Sequence, residues 1–181
     1  MEHQAKVAGV VSITPIGTGE RVCIDMIDRL GPREGIFVGN TGHGYVKVLS
    51  ENRQTDTYPA RVFRINAGAI HQYILLFGDK TTYLSEVKPG VELPIFHQTD
   101  IRNVAVGRVK MEKREFVRVV CQVDGVTISA TLQQSDSVHL ETEDGLEKSI
   151  VDLQVGDKII CRLDNPGRHL GEKINEDIEE I

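Results

Sequence analysis

Three polar side chains in one stretch have the types that recognise an anionic, hydroxylated molecule. In residues 60–77, Arg64 and Asn66 alternate with Phe63 and Ile65. His71 follows an Ala67-Gly68 break, in step with Tyr73, Leu75 and Phe77. A guanidinium forks onto a carboxylate or phosphate, an amide serves hydroxyls, and an imidazole moves protons or ligates a metal. With the period of two of a β-strand, Arg64 and Asn66 share one face, and Phe63 and Ile65 share the other. Buried without partners, such groups are costly, so they need neighbours or a ligand. Two readings stay open: the lining of a small-molecule site, or a satisfied polar network that holds the fold together.

Further candidates lie elsewhere. Arg168-His169, past the turn signal Asn165-Pro-Gly167, offers a second cation and a second imidazole, and Glu86 in Tyr83-Leu-Ser-Glu86 offers a carboxylate. His71, His169 and Glu86 would suit a divalent metal, although no spacing rule links them. Gly17-Thr-Gly19-Glu20-Arg21 starts like a dinucleotide fingerprint but lacks the third glycine, and a strand pattern follows where a helix is required. Gly39-Asn-Thr-Gly42-His43-Gly44 reads either as an anion-binding nest of backbone N–H groups or as a plain glycine-rich loop.

The elements that must position these groups are strands. Residues 7–13, 21–24, 35–38, 45–49, 103–111, 116–123 and 126–132 are short, β-branched runs bounded by Gly, Pro or Asn. Asp124-Gly125 and Asp144-Gly145 are two-residue turn signals between such runs. One or two turns of helix are expected over residues 25–30, ended by Gly31-Pro32. Residues 83–95 weakly repeat as 149–160: a short turn, a glycine at the bend, and a strand leaving it. These patterns predict an all-β, mainly antiparallel protein with few short helices. The expected layout is a β-rich lobe over residues 6–96, packed on a small C-terminal β-barrel over 103–164, with an acidic tail over 165–181.

A net charge of −6 argues against sequence-independent nucleic-acid binding. No apolar run reaches the length of a membrane helix, and the polar start carries no signal-peptide pattern. Cys23, Cys121 and Cys161 show no CxxC pairing and read as reduced, buried thiols, so a cytoplasmic protein is expected.

The same segments carry a family resemblance. Gly17-Thr-Gly-Glu-Arg-Val-Cys-Ile-Asp25, Glu34-Gly-Ile-Phe-Val-Gly39, Phe63-Arg-Ile-Asn-Ala-Gly-Ala-Ile-His71, Thr82-Tyr-Leu-Ser-Glu86, Val106-Gly-Arg-Val-Lys110 and Arg168-His169 follow one another in this chain. Their order resembles the C-terminal half of the type II (archaeal-type) 3-dehydroquinate synthases and the related 3-amino-4-hydroxybenzoate synthases. The resemblance implies an NAD-dependent enzyme of the shikimate pathway. Such an enzyme oxidatively deaminates a seven-carbon amino-keto sugar acid and cyclises it, and the benzoate-forming relatives are associated with manganese. It also implies a partner chain supplying the N-terminal half, with homo-oligomers open. The rival expectation is a non-catalytic small-molecule or metal-binding module, or a structural subunit of a split enzyme. On the family reading Arg64, Asn66 and Arg168 bind substrate, and His71, His169 and Glu86 are acid/base groups or metal ligands. Two departures stand out: Met26-Ile-Asp28 replaces a Thr-Cys-Ser run, and Val48-Leu-Ser-Glu51 lacks the histidine of Val-His-Ala/Ser-Glu.

Overall fold

The computed structural model describes residues 4–166, 168–169, 172–173 and 178–181. In chain order the strands are β1 (Ala5–Met26), β2 (Gly35–Gly39), β3 (Gly44–Leu49), β4 (Arg64–Ala69), β5 (Tyr73–Leu75), β6 (Thr81–Tyr83) and β7 (Glu92–His97). They continue as β8 (Asp100–Val123), β9 (Val126–Gln133), β10 (His139–Glu141), β11 (Glu147–Ser149), β12 (Lys158–Leu163), β13 (Arg168–His169) and β14 (Glu172–Lys173). A 3-10 turn at Leu84–Glu86 is the only helical element among the described residues. The pairs are antiparallel throughout, as the all-β expectation required.

Six strands close a ring in the order β3–β12–β1–β8–β7–β2, and β2 pairs back onto β3. Every ring strand alternates, and its inward positions are apolar: Val22 and Ile24, Ile36 and Val38, Val46 and Val48, Leu93 and Ile95, Val117 and Val119, Ile159 and Cys161 all join one buried cluster. β1 and β8 pair along most of their length, and three register shifts let these long strands bend with the ring.

The weak sequence repeat is a structural one. Tyr73 pairs Tyr83 and Leu75 pairs Thr81 in one copy; His139 pairs Ser149 and Glu141 pairs Glu147 in the other. The offset is a constant 66 residues (73 to 139, 83 to 149). It persists through the bends, where Gly90 N–H donates to the Val106 carbonyl and Gly156 N–H to the Val10 carbonyl, both at 2.8 Å. Both glycines hold positive φ, 91° and 97°, which favours a residue without Cβ. The returning strands match too: Glu92 opposes Ala105 and Phe96 opposes Ile101, while Lys158 opposes Gly9 and Arg162 opposes Ala5. β1 and β8, and β7 and β12, are therefore related by an approximate two-fold, with the β2–β3 hairpin on the axis.

Two expectations differ from the structure. The polar run at 97–103, read as a boundary between lobes, is the tip of the β7–β8 hairpin, with Gln98 at φ 53°. The ring draws β1, β2, β3 and β7 from the first expected lobe and β8 and β12 from the second, so one core spans both. Polar residues mark a turn as readily as a linker, and long-range pairing decides between them. The helix expected at 25–30 is absent: Asp25 and Met26 extend β1, and the N–H groups of Ile27 and Leu30 donate to Ala105 and Val62 carbonyls. Backbone donors taken by neighbouring strands leave none for an i→i−4 ladder.

Candidate functional site: a polar face across three strands

β1 lies between β8 and β4, and directly opposed residues point to the same side of the sheet. Arg108, Asp25 and Arg64 form one row; Lys110, Cys23 and Asn66 the next; Glu112, Arg21 and Ala69 the third. Along β1 this face alternates with the core positions Val22, Ile24 and Met26. Between β1 and β4 the register shifts by one at Ala67, which keeps Arg64 and Asn66 facing Asp25 and Cys23.

Asp25 is 2% exposed and anchors the first row. Its carboxylate accepts from Arg64 Nε and Nη2 at 2.8 and 3.2 Å, and from Arg108 Nε at 2.8 Å. Burial alone would raise its pKa, but the two guanidiniums together hold it below the usual carboxylate value. The Asp25 bond likewise raises Arg64 further above its ordinary value. Arg64 is mostly covered, whereas Arg108 is largely exposed and borders a cavity of about 590 Å³ with Asp25, Asp28, Arg29 and Phe63.

The third row joins the second through Gln133. Its Oε1 accepts from Arg21 Nη1 at 2.5 Å and from Asn66 Nδ2 at 2.8 Å. A guanidinium only donates, so the Gln133 oxygen must face Arg21, and Asn66 must then present its NH2 to that oxygen. Asn66 Oδ1 and Arg21 Nε are left buried with no hydrogen-bond partner. Arg21 also donates from Nη2 to Glu112 at 2.9 Å. An unfilled acceptor and an unfilled donor on neighbouring buried side chains are the features a hydroxyl-bearing ligand satisfies.

Glu51 and Cys23 complete the face. Burial raises the Glu51 pKa despite the pull of Arg64, Arg61 and Arg21. Burial also pushes the Cys23 thiol up to about 11, so it stays protonated and inert as a nucleophile. All three cysteines are free and buried.

His71 does not join Arg64 and Asn66. Beyond Gly68, whose φ is 94°, the chain turns, and His71 becomes exposed with its Nε2 2.8 Å from Asn40 Oδ1. That oxygen also accepts from Thr131 Oγ1, and Asn40 Nδ2 donates to Ser129. Loss of hydration alone lowers the His71 pKa. Glu86 is exposed and accepts from Thr82 Oγ1 and the Tyr83 N–H, both at 3.2 Å, bracing its own turn. The side chains of Arg168 and His169 lie outside the described residues. Among the described residues no group of three His, Cys, Asp or Glu is placed to hold a metal ion.

Asp25, Arg21, Gln133 and Glu51 were missed in the sequence. For Asp25 and Arg21 the signal was the alternation Arg21-Val-Cys-Ile-Asp25 and Arg108-Val-Lys-Met-Glu112, on two strands that turn out to be partners; Gln133 and Glu51 lie outside both runs.

Residues 7–181 match the family model described as the 3-dehydroquinate synthase II C-terminal domain. This chain belongs to that family. Curated relatives agree. A 3-dehydroquinate synthase from Methanothrix thermoacetophila is 40% identical over 97% of this chain and 48% of its own length. One from Archaeoglobus fulgidus is 39% identical over 96% of this chain and 54% of its own length, and one from Methanopyrus kandleri is 38% identical over 94% and 44%. The chain thus spans about half the length of the curated relatives it matches. No solved structure matches it. No described helix is long and apolar enough to cross a membrane.

Proposed function

We propose that this chain is the C-terminal half of a 3-dehydroquinate-forming enzyme, and that the β8–β1–β4 face binds an anionic, polyhydroxylated substrate. One observation carries the reading: Asn66 Oδ1 and Arg21 Nε are buried and unpartnered on the same three-strand face as the doubly paired Asp25, whose own row borders an open cavity. The cavity is of the size that takes a small molecule. Arg108, the exposed guanidinium at the cavity wall, meets the substrate carboxylate, and Asp25 holds Arg64 and Arg108 in a fixed orientation. Asn66 Oδ1 accepts from one substrate hydroxyl, and Arg21 Nε donates to an oxygen beside it. The reaction on this reading is oxidative deamination and cyclisation of a seven-carbon amino-keto sugar acid in aromatic amino acid biosynthesis, in the cytoplasm.

NAD would accept the hydride, but the described residues contain no strand–glycine turn–helix unit to cradle its pyrophosphate, so its binding falls to an N-terminal half. The described donors do not fit a manganese site either. A second reading, a structural subunit of a split enzyme, is favoured by the full pairing of Arg64 with Asp25.

The test mixes the chain with a separately produced N-terminal half, NAD and the seven-carbon amine, and follows NADH and ammonia. Turnover is expected only with both halves present. Arg108→Ala should raise KM at least tenfold with a small fall in Tm, because buried Asp25 loses one guanidinium but keeps its pair with Arg64. Turnover that is indifferent to Arg108→Ala and to Asn66→Leu would assign the face a structural role.

A further inference from the structure

The glycine loop between β2 and β3 holds a carboxylate beside a cavity that shares no lining residue with the one at Asp25. Gly42 N–H donates to Glu180 Oε1 at 2.6 Å, and the Tyr73 hydroxyl donates to Glu180 Oε2 at 2.8 Å. His43 Nε2 lies 3.1 Å from the Glu180 carbonyl; a carbonyl only accepts, so Nε2 carries the proton. A backbone amide, a phenol and an imidazole N–H thus converge on one residue that arrives from 107 to 138 positions along the chain. Tyr73 is fixed for this task by stacking on Tyr83, with ring centroids 5.2 Å apart and planes inclined by 21°. Glu180 also borders a cavity of about 510 Å³ whose wall includes Thr41, Arg118, Thr127 and Ser129. Arg118 makes no ion pair among the described residues.

From this geometry we infer that Gly42, Tyr73 and His43 form a carboxylate-binding site, and that Glu180 is its built-in, displaceable occupant. The amide and hydroxyl are set for the two oxygens of one carboxylate, one donor to each, which is a recognition geometry rather than a general attraction to negative charge. Space beside the occupied position, with an unpaired guanidinium on its wall, gives room for a small free carboxylate that enters as Glu180 leaves. The site is separate from the proposed substrate face, and its test reads binding, so it stands or falls independently of turnover.

The experiment uses the full chain labelled with 15N, titrated with glutarate, a mimic of the glutamate side chain. Wild type, Glu180→Ala and the double variant Glu180→Ala/Tyr73→Phe are compared. In Glu180→Ala the Gly42 amide should shift saturably with millimolar glutarate, at least tenfold tighter than in wild type, where Glu180 competes. Adding Tyr73→Phe should weaken that binding at least fivefold. Equal binding by wild type and Glu180→Ala would overturn the inference, as would a Gly42 amide that never moves or indifference to Tyr73→Phe. Circular dichroism of each variant confirms that the fold is intact, and Tyr73→Phe alone, with Glu180 in place, provides a second folded background.

Discussion

At the residue scale, Asp25 has the most to lose. It is buried between two guanidiniums, and removing one member of such a group leaves uncompensated charge. Asp25→Asn should cost about 3 kcal/mol of unfolding free energy, read from urea denaturation at pH 7. The pH dependence follows from the lowered pKa. Asp25 binds its proton less readily when folded than when unfolded, so its contribution is complete above the unfolded carboxylate value near pH 4 and fades as pH falls through the lower folded value. The urea midpoint of the wild type should therefore drop as pH falls below about 4, and Asp25→Asn should flatten that limb. Strict alternation made the shared face of Arg64 and Asn66 legible in the sequence. Asp25 was not legible, because its meaning depends on strands 39 and 83 residues away, and a nearby Gly31-Pro32 suggested a helix instead. His71 was misplaced for a related reason: counting by two fails across a turn.

At the element scale, β4 and β9 are joined by a side chain. Gln72, fully buried, accepts the Thr131 N–H at 2.8 Å and donates to the Ala67 carbonyl at 3.1 Å, substituting for a ladder bond between two strand edges. Gly68 makes the approach feasible: a Cβ there would lie 2.3 Å from the Thr131 carbonyl, and its φ is already positive. Gly68→Ala should lower stability by about 2 kcal/mol or more, measured as a fall in the thermal midpoint. Gln72→Leu should cost about 1–3 kcal/mol by stranding the Thr131 N–H. Turn chemistry was readable in advance. Asp124 and Gly125 both hold positive φ, as a two-residue hairpin turn demands, and Gly90 and Gly156 sit at matching bends of the repeat. What the sequence withheld was which strand meets which, since β1 and β8 find each other across most of the chain.

For the whole molecule, the closed ring makes the expected lobes interdependent. β12 needs β1 and β7 needs β8, so a fragment of residues 103–164 should show no dispersed amide spectrum alone, while residues 4–166 together should fold. A dispersed spectrum from the short fragment would restore the two-lobe layout. Closure through β12 also has a consequence for the protein's birth. As the polypeptide leaves the ribosome, the edge of β1 at Ala5–Gly9 waits for residues 158–162, almost the last of the sheet to be made. Until then a row of main-chain donors and acceptors is open to any neighbouring nascent strand, so soluble yield should rise when synthesis is slowed or chaperones are co-expressed.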